Sequence, residues 1–343
     1  MAVDELSLDD LVGAVRGTSG ARPWSDAAVP GVVVVDLDAG PPPDDVPTLH
    51  AAVRAVVVGL AAGLPDRDPG AHPAAAICDV MIGPGDPRLD AVVATVGSSP
   101  LAACALAVLL RGSADGSLDA GLTAESAVYS TLQAGPEFAA WRAARPRRSR
   151  GPEGDPVALA RDGAVVTVTL DRPHVRNALD TTMRDQLVDA FSLAAVDPSI
   201  AEVHLRGVGP DFCAGGDLDE FGSFPDPATA HLVRLQQSVG RVIAAVADRV
   251  TAHLHGACVG SGIELPAFAG RVVAAPSTRI SLPEVALGLV PGAGGTVGIT
   301  RRIGRHRTAR LALTGEVLDA ATAHRWGLVD ALDEAPDDAP GDG

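Results

Sequence analysis

The stretch HGACVGSGIELPAFAG, residues 255–270, places small residues directly before a single acid. Glycines occupy positions 256, 260 and 262, and Glu264 then enters an apolar run. Small residues let backbone N–H groups approach a ligand closely. A carboxylate among apolar residues is costly unless it is protonated or paired, and is often retained for function. The stretch therefore predicts a turn that clears space beside a reactive carboxyl group.

Two more glycine-rich stretches accompany it. GPDFCAGGDLDEF, residues 209–221, follows a predicted strand, and SLPEVALGLVPGAGGT, residues 281–296, carries Glu284 after Pro283. N–H groups from separate segments can converge on one oxygen as an oxyanion hole, and a nearby acid can exchange a proton with the adjacent carbon. One such stretch alone is equally compatible with a tight turn. Three in order, two of them with a glutamate, favour a catalytic site.

The composition of the chain argues against several classes of function. The chain has 343 residues, enough for a sizeable core, and its net charge is −16 with no lysine. This acidity argues against nucleic-acid binding, and the lack of a long uninterrupted apolar run argues against a membrane span. The N-terminus shows no signal-peptide pattern, and four scattered cysteines predict free thiols, no metal site and a cytoplasmic location.

The chain divides near residue 150. Residues 1–150 read as an α/β region that alternates strands such as GVVVVDLD with helices such as SLDDLVGAVRG, with Ser7 as N-cap, and TLHAAVRAVVVGLAAGL. The region is either a degenerate half-copy of residues 151–343 or similar to it by chance. Between the two regions, RAARPRRSRGPEGDP predicts a linker, an exposed helix end or an anion contact.

Residues 156–332, approximately, resemble the enoyl-CoA hydratase/isomerase (crotonase) superfamily. The matching motifs, in order, are DRPHVRNALD, FCAGGDL, GACVGSGIEL, RISLPEVALGLVPGAGGT and ALTGEVLDAATAHRWGLVDAL. The resemblance implies an α/β fold, a crotonase core of repeated β-β-α units with two roughly perpendicular sheets. It implies an acyl-CoA thioester as substrate, with no separate cofactor.

The resemblance also assigns site residues. The thioester oxygen is expected between the backbone N–H groups of Gly216 and Ser261, the latter a glycine in many relatives. Glu264 and Glu284 match the two glutamates of the hydratases, which hold one water between them. Glu264 is expected to act as the general base toward the β-carbon and Glu284 to protonate the α-carbon. The implied reaction is hydration of a 2-enoyl-CoA.

Contacts to coenzyme A are expected from arginine, because the lysine that usually follows AGxDL is absent. Arg172 and Arg176 are the candidates, with a surface or helix-start role as the alternative. Phe221 and Phe224 line the acyl pocket or pack within their loop. Three further residues are expected to line the substrate site: Ala214, Asp217 and Gly260.

Alternatives to a hydratase stay open. An isomerase needs only one acid, a cofactor-independent dihydroxyphenylacetyl-CoA dioxygenase has a similarly long N-terminal extension, and a non-catalytic partner subunit would bind without turnover. The chain ends shortly after GLVDAL with the acidic sequence DEAPDDAPGDG, predicted to be disordered. We therefore expect this tail to be too short to supply the covering helices usual in the family. We expect the N-terminal region to replace them and to form part of the subunit interface of a homo-oligomer, a trimer or hexamer.

Overall fold

The computed structural model describes residues 3–18, 31–40, 46–49, 53–64, 69–112, 116–148 and 154–333. The acidic tail predicted to be disordered, residues 333–343, lies outside the described residues except for Asp333, and so do residues 149–153 of the arginine-rich linker.

The N-terminal region contains a parallel sheet covered by helices. Its four strands pair in chain order, and its helices follow them in the sequence apart from the first. The strands are β1 (Val3–Ser7), β2 (Gly31–Asp36), β3 (Ala55–Leu60) and β4 (Val80–Ile82). The helices are α1 (Leu8–Arg16), α2 (Arg88–Ser98), α3 (Pro100–Arg111), α4 (Leu118–Gln133) and α5 (Pro136–Ala144).

Local sequence signals mark the starts of three of these helices. Ser7 caps α1 by accepting a hydrogen bond from Asp10 N–H, as expected. Helices α3 and α5 begin at Pro100 and Pro136, and proline is favoured in the first turn of a helix. The long helix predicted over TLHAAVRAVVVGLAAGL is wrong, because Ala55–Leu60 is strand β3 between β2 and β4. A strand buried on both faces shows no polar alternation, so its pattern matches that of a buried helix segment.

The second region is built from nine strands and six helices among the described residues. The strands are β5 (Val157–Asp162), β6 (Val165–Leu170), β7 (Glu202–Gly207), β8 (Val250–Leu254), β9 (Ala257–Val259), β10 (Arg271–Ala274), β11 (Arg279–Ser281), β12 (Leu318–Asp319) and β13 (Ala331–Leu332). The helices are α6 (Thr181–Val196), α7 (Pro227–Gln236), α8 (Val239–Ala245), α9 (Ser261–Glu264), α10 (Gly295–Thr314) and α11 (Ala320–Trp326).

These strands form two sheets. The larger has the order β13-β10-β8-β7-β6-β5 and is parallel except for the β5–β6 hairpin. The smaller has the order β12-β11-β9. Together with the helices between them, the sheets confirm the α/β class. Strand β9 leads through Gly260 into the four-residue helix α9, which places Glu264 one turn beyond the end of the strand.

The two regions share one hydrophobic core. One face of the N-terminal sheet, including Val32, Val56 and Val80, belongs to the same buried cluster as the apolar residues of the second region. Helix α4 packs against α7 and α10. Arg305 on α10 donates to Cys78 O at 2.7 Å, which ties the regions together beside β4. Whether the N-terminal region descends from a half-copy stays a hypothesis.

Within the described residues no single helix is long and apolar enough to cross a membrane; only α2 and α3, bent by 113° to each other, pass that test as a pair.

Candidate active site

Gly216 presents a free backbone N–H. Leu179 N–H donates to Gly215 O and Asp217 N–H donates to Leu179 O, both at 2.8 Å, so the N–H of Gly216 faces away from this bridge. This N–H donates to no protein atom among the described residues. A Cβ at position 216 would lie 2.6 Å from Phe221 Cε1, so a larger residue there would require the Phe221 ring to move.

Ser261 presents a second free N–H. It is the first residue of α9, where backbone N–H groups have no partner within the helix, and it donates to no atom in the described part of the chain. Its hydroxyl lies 3.8 Å from Cys213 Sγ. Burial raises the pKa of Cys213 to about 11, so this thiol stays protonated and is a poor nucleophile.

Glu264 is held by the turn that precedes α10. Its side chain is buried, and its Oε2 accepts hydrogen bonds from Ala293 N–H at 2.8 Å and Gly295 N–H at 2.9 Å. Burial raises the pKa of Glu264 to about 7, although the two hydrogen bonds act in the opposite direction. A carboxyl group with this pKa is suited to accept a proton near neutral pH.

Glu284 lies opposite, in the short 3₁₀ turn after Pro283. It is buried, and its Oε2 has no hydrogen-bond partner among the described residues. Burial, followed by repulsion from Glu264, raises the pKa of Glu284 well above its ordinary value, which favours the protonated acid. A Cβ on Gly260 would collide with Glu284 Oε1 and lie 3.8 Å from Glu264 Oε1, so the two carboxyl groups flank that glycine.

The four residues predicted to be catalytic line one cleft, of about 1160 Å³ counting its solvent-open space. Phe221 and Phe224 also line it. Part of the wall comes from helix α4 of the N-terminal region, through Leu122, Glu125, Ser126, Tyr129 and Gln133.

Sequence reasoning missed Glu125. The available signal was an acid three residues after Leu122 and four before Tyr129, in an otherwise apolar helical stripe. Its side chain is only 2% exposed.

Two of the expected substrate contacts are buried and paired with each other. Arg172 is buried, and its guanidinium lies 3.2 Å from Asp180 and 3.4 Å from Asp217. These internal ion pairs stabilise the loop before α6, and a substrate contact by Arg172 or Asp217 stays a prediction.

The other three expected substrate contacts, Arg176, Ala214 and Gly260, differ in the groups that they leave available to a ligand. The Arg176 side chain is 70% exposed and lies 3.5 Å from Asp211, so it is accessible to a ligand phosphate. The Ala214 N–H donates a hydrogen bond to Arg176 O, and the Gly260 N–H donates one to Ser281 O. Gly260 therefore acts by leaving space between the glutamates.

The arginine-rich segment contacts the loop that follows Gly216. Arg142 donates to Leu218 O at 2.7 Å, Arg147 donates to Phe221 O at 3.0 Å, and Arg148 pairs with Asp219 at 3.3 Å. Asp219 stands where the family usually has lysine. The segment thus fastens one wall of the cleft to the N-terminal region. No group of three or more possible metal-ligating side chains occurs within the described ranges.

Comparison with known proteins places this site in a family. Residues 160–338, more than half of the chain, match the sequence model of Enoyl-CoA hydratase/isomerase. The chain is similar to the 2,3-dehydroadipyl-CoA hydratase of Escherichia coli, with 36% identity over 171 residues, which cover 50% of this chain and 66% of that protein. It is also similar to the mevalonyl-coenzyme A hydratase of Beauveria bassiana, with 33% identity, covering 49% and 63%.

Each of these matches spans less than two thirds of the relative's own length. Among solved structures, the enoyl-CoA hydratase of Thermoplasma volcanium aligns with a TM-score of 0.49 and 33% identity, covering 53% of this chain and 73% of that one. The family motifs coincide with the segments that carry Gly216, Ser261, Glu264 and Glu284. The chain belongs to the enoyl-CoA hydratase/isomerase family.

Proposed function

We propose that the protein hydrates 2-enoyl-CoA thioesters. The observation that supports this most is the pair Glu264 and Glu284, which flank Gly260 in a cleft that also receives the free N–H groups of Gly216 and Ser261. An isomerase would require one acid only, and the second buried carboxyl group would then have no task.

The thioester oxygen binds between the two N–H groups, and a water lies between the carboxyl groups. Glu264 takes a proton from this water while the water oxygen bonds to the β-carbon of the substrate. The electron pair of the double bond moves toward the thioester, whose oxyanion accepts hydrogen bonds from Gly216 and Ser261. Glu284 then gives its proton to the α-carbon, and the proton held by Glu264 restores Glu284 before the next turnover.

The electrostatics supports this division of roles. Glu264 has the lower pKa of the pair, about 7, because two N–H groups stabilise its charge. Glu284 lacks comparable donors within the described structure, and the neighbouring charge disfavours its ionisation. One ionised base and one neutral acid is the state that this hydration requires.

The substrate class follows from the family and the accessible arginine. The two hydratases named above are described as acting on CoA thioesters, and we propose Arg176 as a contact to a CoA phosphate, with no separate cofactor. The trimeric or hexameric state and the cytoplasmic location stay predictions.

Incubation with a panel of 2-enoyl-CoA esters, with and without oxygen, followed by mass analysis, tests the proposal. We expect the product to gain the mass of one water irrespective of oxygen. A double-bond shift without mass change would indicate an isomerase, and oxygen incorporation would indicate a dioxygenase. Binding without turnover of any ester would indicate a non-catalytic subunit. Each of these three results contradicts the hydratase assignment.

A further inference from the structure

A third buried carboxyl group lies in the cleft and comes from outside the family segment. Glu125 is on α4, ahead of the residues that match the family, 160–338. It lines the same cleft as Glu264 and Glu284. Burying a third acid beside two others is unfavourable unless its contacts compensate for the loss of hydration.

Those contacts all go to the turn that holds Glu264. Glu125 Oε1 accepts from Gly294 N–H at 2.7 Å. Its Oε2 accepts from Thr296 N–H at 2.9 Å and from the Thr296 hydroxyl at 2.7 Å. Ala293 N–H and Gly295 N–H, the intervening donors, go to Glu264. Successive N–H groups of one turn thus alternate between the two glutamates.

The turn is rich in glycine and packs closely on both of its neighbours. Gly294 has φ 107°, a left-handed conformation that favours glycine, and a Cβ on Gly292 would lie 2.5 Å from the Tyr129 ring. A Cβ on Gly295 would lie 2.7 Å from Glu264 Cγ. The turn therefore places backbone with few side chains between α4 and Glu264, and both carboxyl groups accept hydrogen bonds from it.

We propose that Glu125 is a positioning residue of the active site, which holds the 293–296 turn so that Ala293 and Gly295 keep their N–H groups directed at the catalytic base Glu264. The N-terminal region thereby completes the site within one chain. The proposal rests on the proposed function for the role of Glu264, and on the hydrogen bonds alone for the role of Glu125.

The charged groups around Glu125 agree with this role. Glu264 faces it from α9, Glu284 from the 3₁₀ turn, Arg234 from α7 and Tyr129 from its own helix. Burial, followed by repulsion from Glu264, raises the pKa of Glu125 to about 8. Burial and the charge of Glu264 therefore both favour the neutral form of Glu125.

The variant Glu125→Gln tests the proposal because it keeps the size but brings an NH₂ group against donors of the turn. The turn should shift and weaken the two hydrogen bonds that stabilise the Glu264 carboxylate. We expect the acid limb of kcat/KM to move upward by about one pH unit. We expect kcat to fall roughly tenfold to a hundredfold with KM little changed. A merely structural role would lower the active fraction without moving the pH limb.

Two further variants keep the test decisive. Thr296→Val removes one donor to Glu125 and keeps the backbone, so it should shift the limb in the same direction by less, even where Glu125→Gln does not fold. Asp119→Asn is the matched control, since it removes an exposed acid of the same helix and should leave the profile unchanged. Unchanged pH limbs and kcat in both Glu125→Gln and Thr296→Val would overturn the proposal.

A titration without substrate separates this inference from the proposed function. Carbon-13-labelled glutamate reports each carboxyl group by NMR, and Glu264→Gln identifies the Glu264 signal. We expect the titration of Glu264 to move upward in Glu125→Gln, whatever reaction the wild-type protein catalyses. A Glu264 titration that matches the wild type in a folded Glu125→Gln protein would refute the positioning role even if hydration is established.

Discussion

Glu264 and Glu284 reach the same point from two separate turns, so that a single Cβ added to Gly260 would contact both side chains. The two glutamates are far apart in sequence, and the parallel pairing of β9 with β11 brings together the turns that follow these two strands. This relationship is the basis of the proposed acid–base pair, and it makes the pair sensitive to the loss of either member.

Glu264→Gln and Glu284→Gln should each abolish most hydratase turnover, because each removes one of the two proton transfers. Acid–base assistance contributes about 10²–10⁴-fold, and we expect losses in this range from steady-state kinetics with an active enoyl-CoA. Circular dichroism and thermal unfolding check that the fold is retained. Near-wild-type turnover in both variants would contradict the assignment.

The proposed oxyanion hole predicts that loss of a backbone N–H lowers turnover, whereas loss of the Ser261 hydroxyl does not. Ser261→Ala keeps the N–H, and the hydroxyl lies beside Cys213, so turnover should be nearly unchanged. Ser261→Pro and Gly216→Pro each remove an N–H, and the loss of one such donor raises the barrier by about 2.7–4 kcal/mol. Equal damage from Ser261→Ala and Ser261→Pro, in folded proteins, would show that the hydroxyl participates.

The buried glutamates also predict how stability depends on pH. Their pKa values are raised on folding, to about 7 for Glu264 and about 8 for Glu125, from an ordinary value of 4.5. The folded state therefore binds protons more tightly, and the stability these groups contribute is fully present below pH 4.5 and lost as the pH rises through their folded values.

Thermal unfolding across this range tests the sign. We expect the unfolding temperature to decline with rising pH less steeply in Glu264→Gln and Glu125→Gln than in the wild type. Asp119→Asn, which removes an exposed acid, should keep the wild-type slope. Identical slopes in all four proteins would mean that the carboxyl groups are not buried as described.

The parts of the site that sequence could predict are those that local motifs carry. Glu264 and Glu284 each follow a distinctive run of small residues or a proline, so their positions needed no knowledge of packing. The ion pair of Arg172 with Asp217 could not be predicted, because the two residues are 45 positions apart and such pairing leaves no local pattern. Glu125 was missed for the same reason, since its partners lie 169 and 171 residues further along the chain.

The fold shows the same difference between features that local sequence signals carry and features that packing decides. Ser7 located the start of α1, because a helix cap acts within one turn. Strand β3 was mistaken for helix, because burial on both faces removes the alternation that identifies a strand.

Removal of residues 1–150 should disable the protein. Helix α4 covers the 293–296 turn and buries Leu122, Tyr129 and Leu132, so the remaining fragment would expose apolar surface and lose one wall of the cleft. We expect the fragment to aggregate in size-exclusion chromatography and to lack turnover. A monodisperse, fully active fragment would show instead that the N-terminal region is an independent module.

A point substitution tests the same contact without truncation. A methyl group on Gly292 would lie 2.5 Å from the Tyr129 ring, so Gly292→Ala should force α4 away from the turn and destabilise the protein by about 1–3 kcal/mol. Tyr129→Leu alone also destabilises by loss of packing, but it removes the ring that collides with the added methyl group. The double variant should therefore be more stable than the sum of the single effects predicts. Strict additivity in urea unfolding would mean that Gly292 and Tyr129 are not in contact, and that α4 does not lie on this turn.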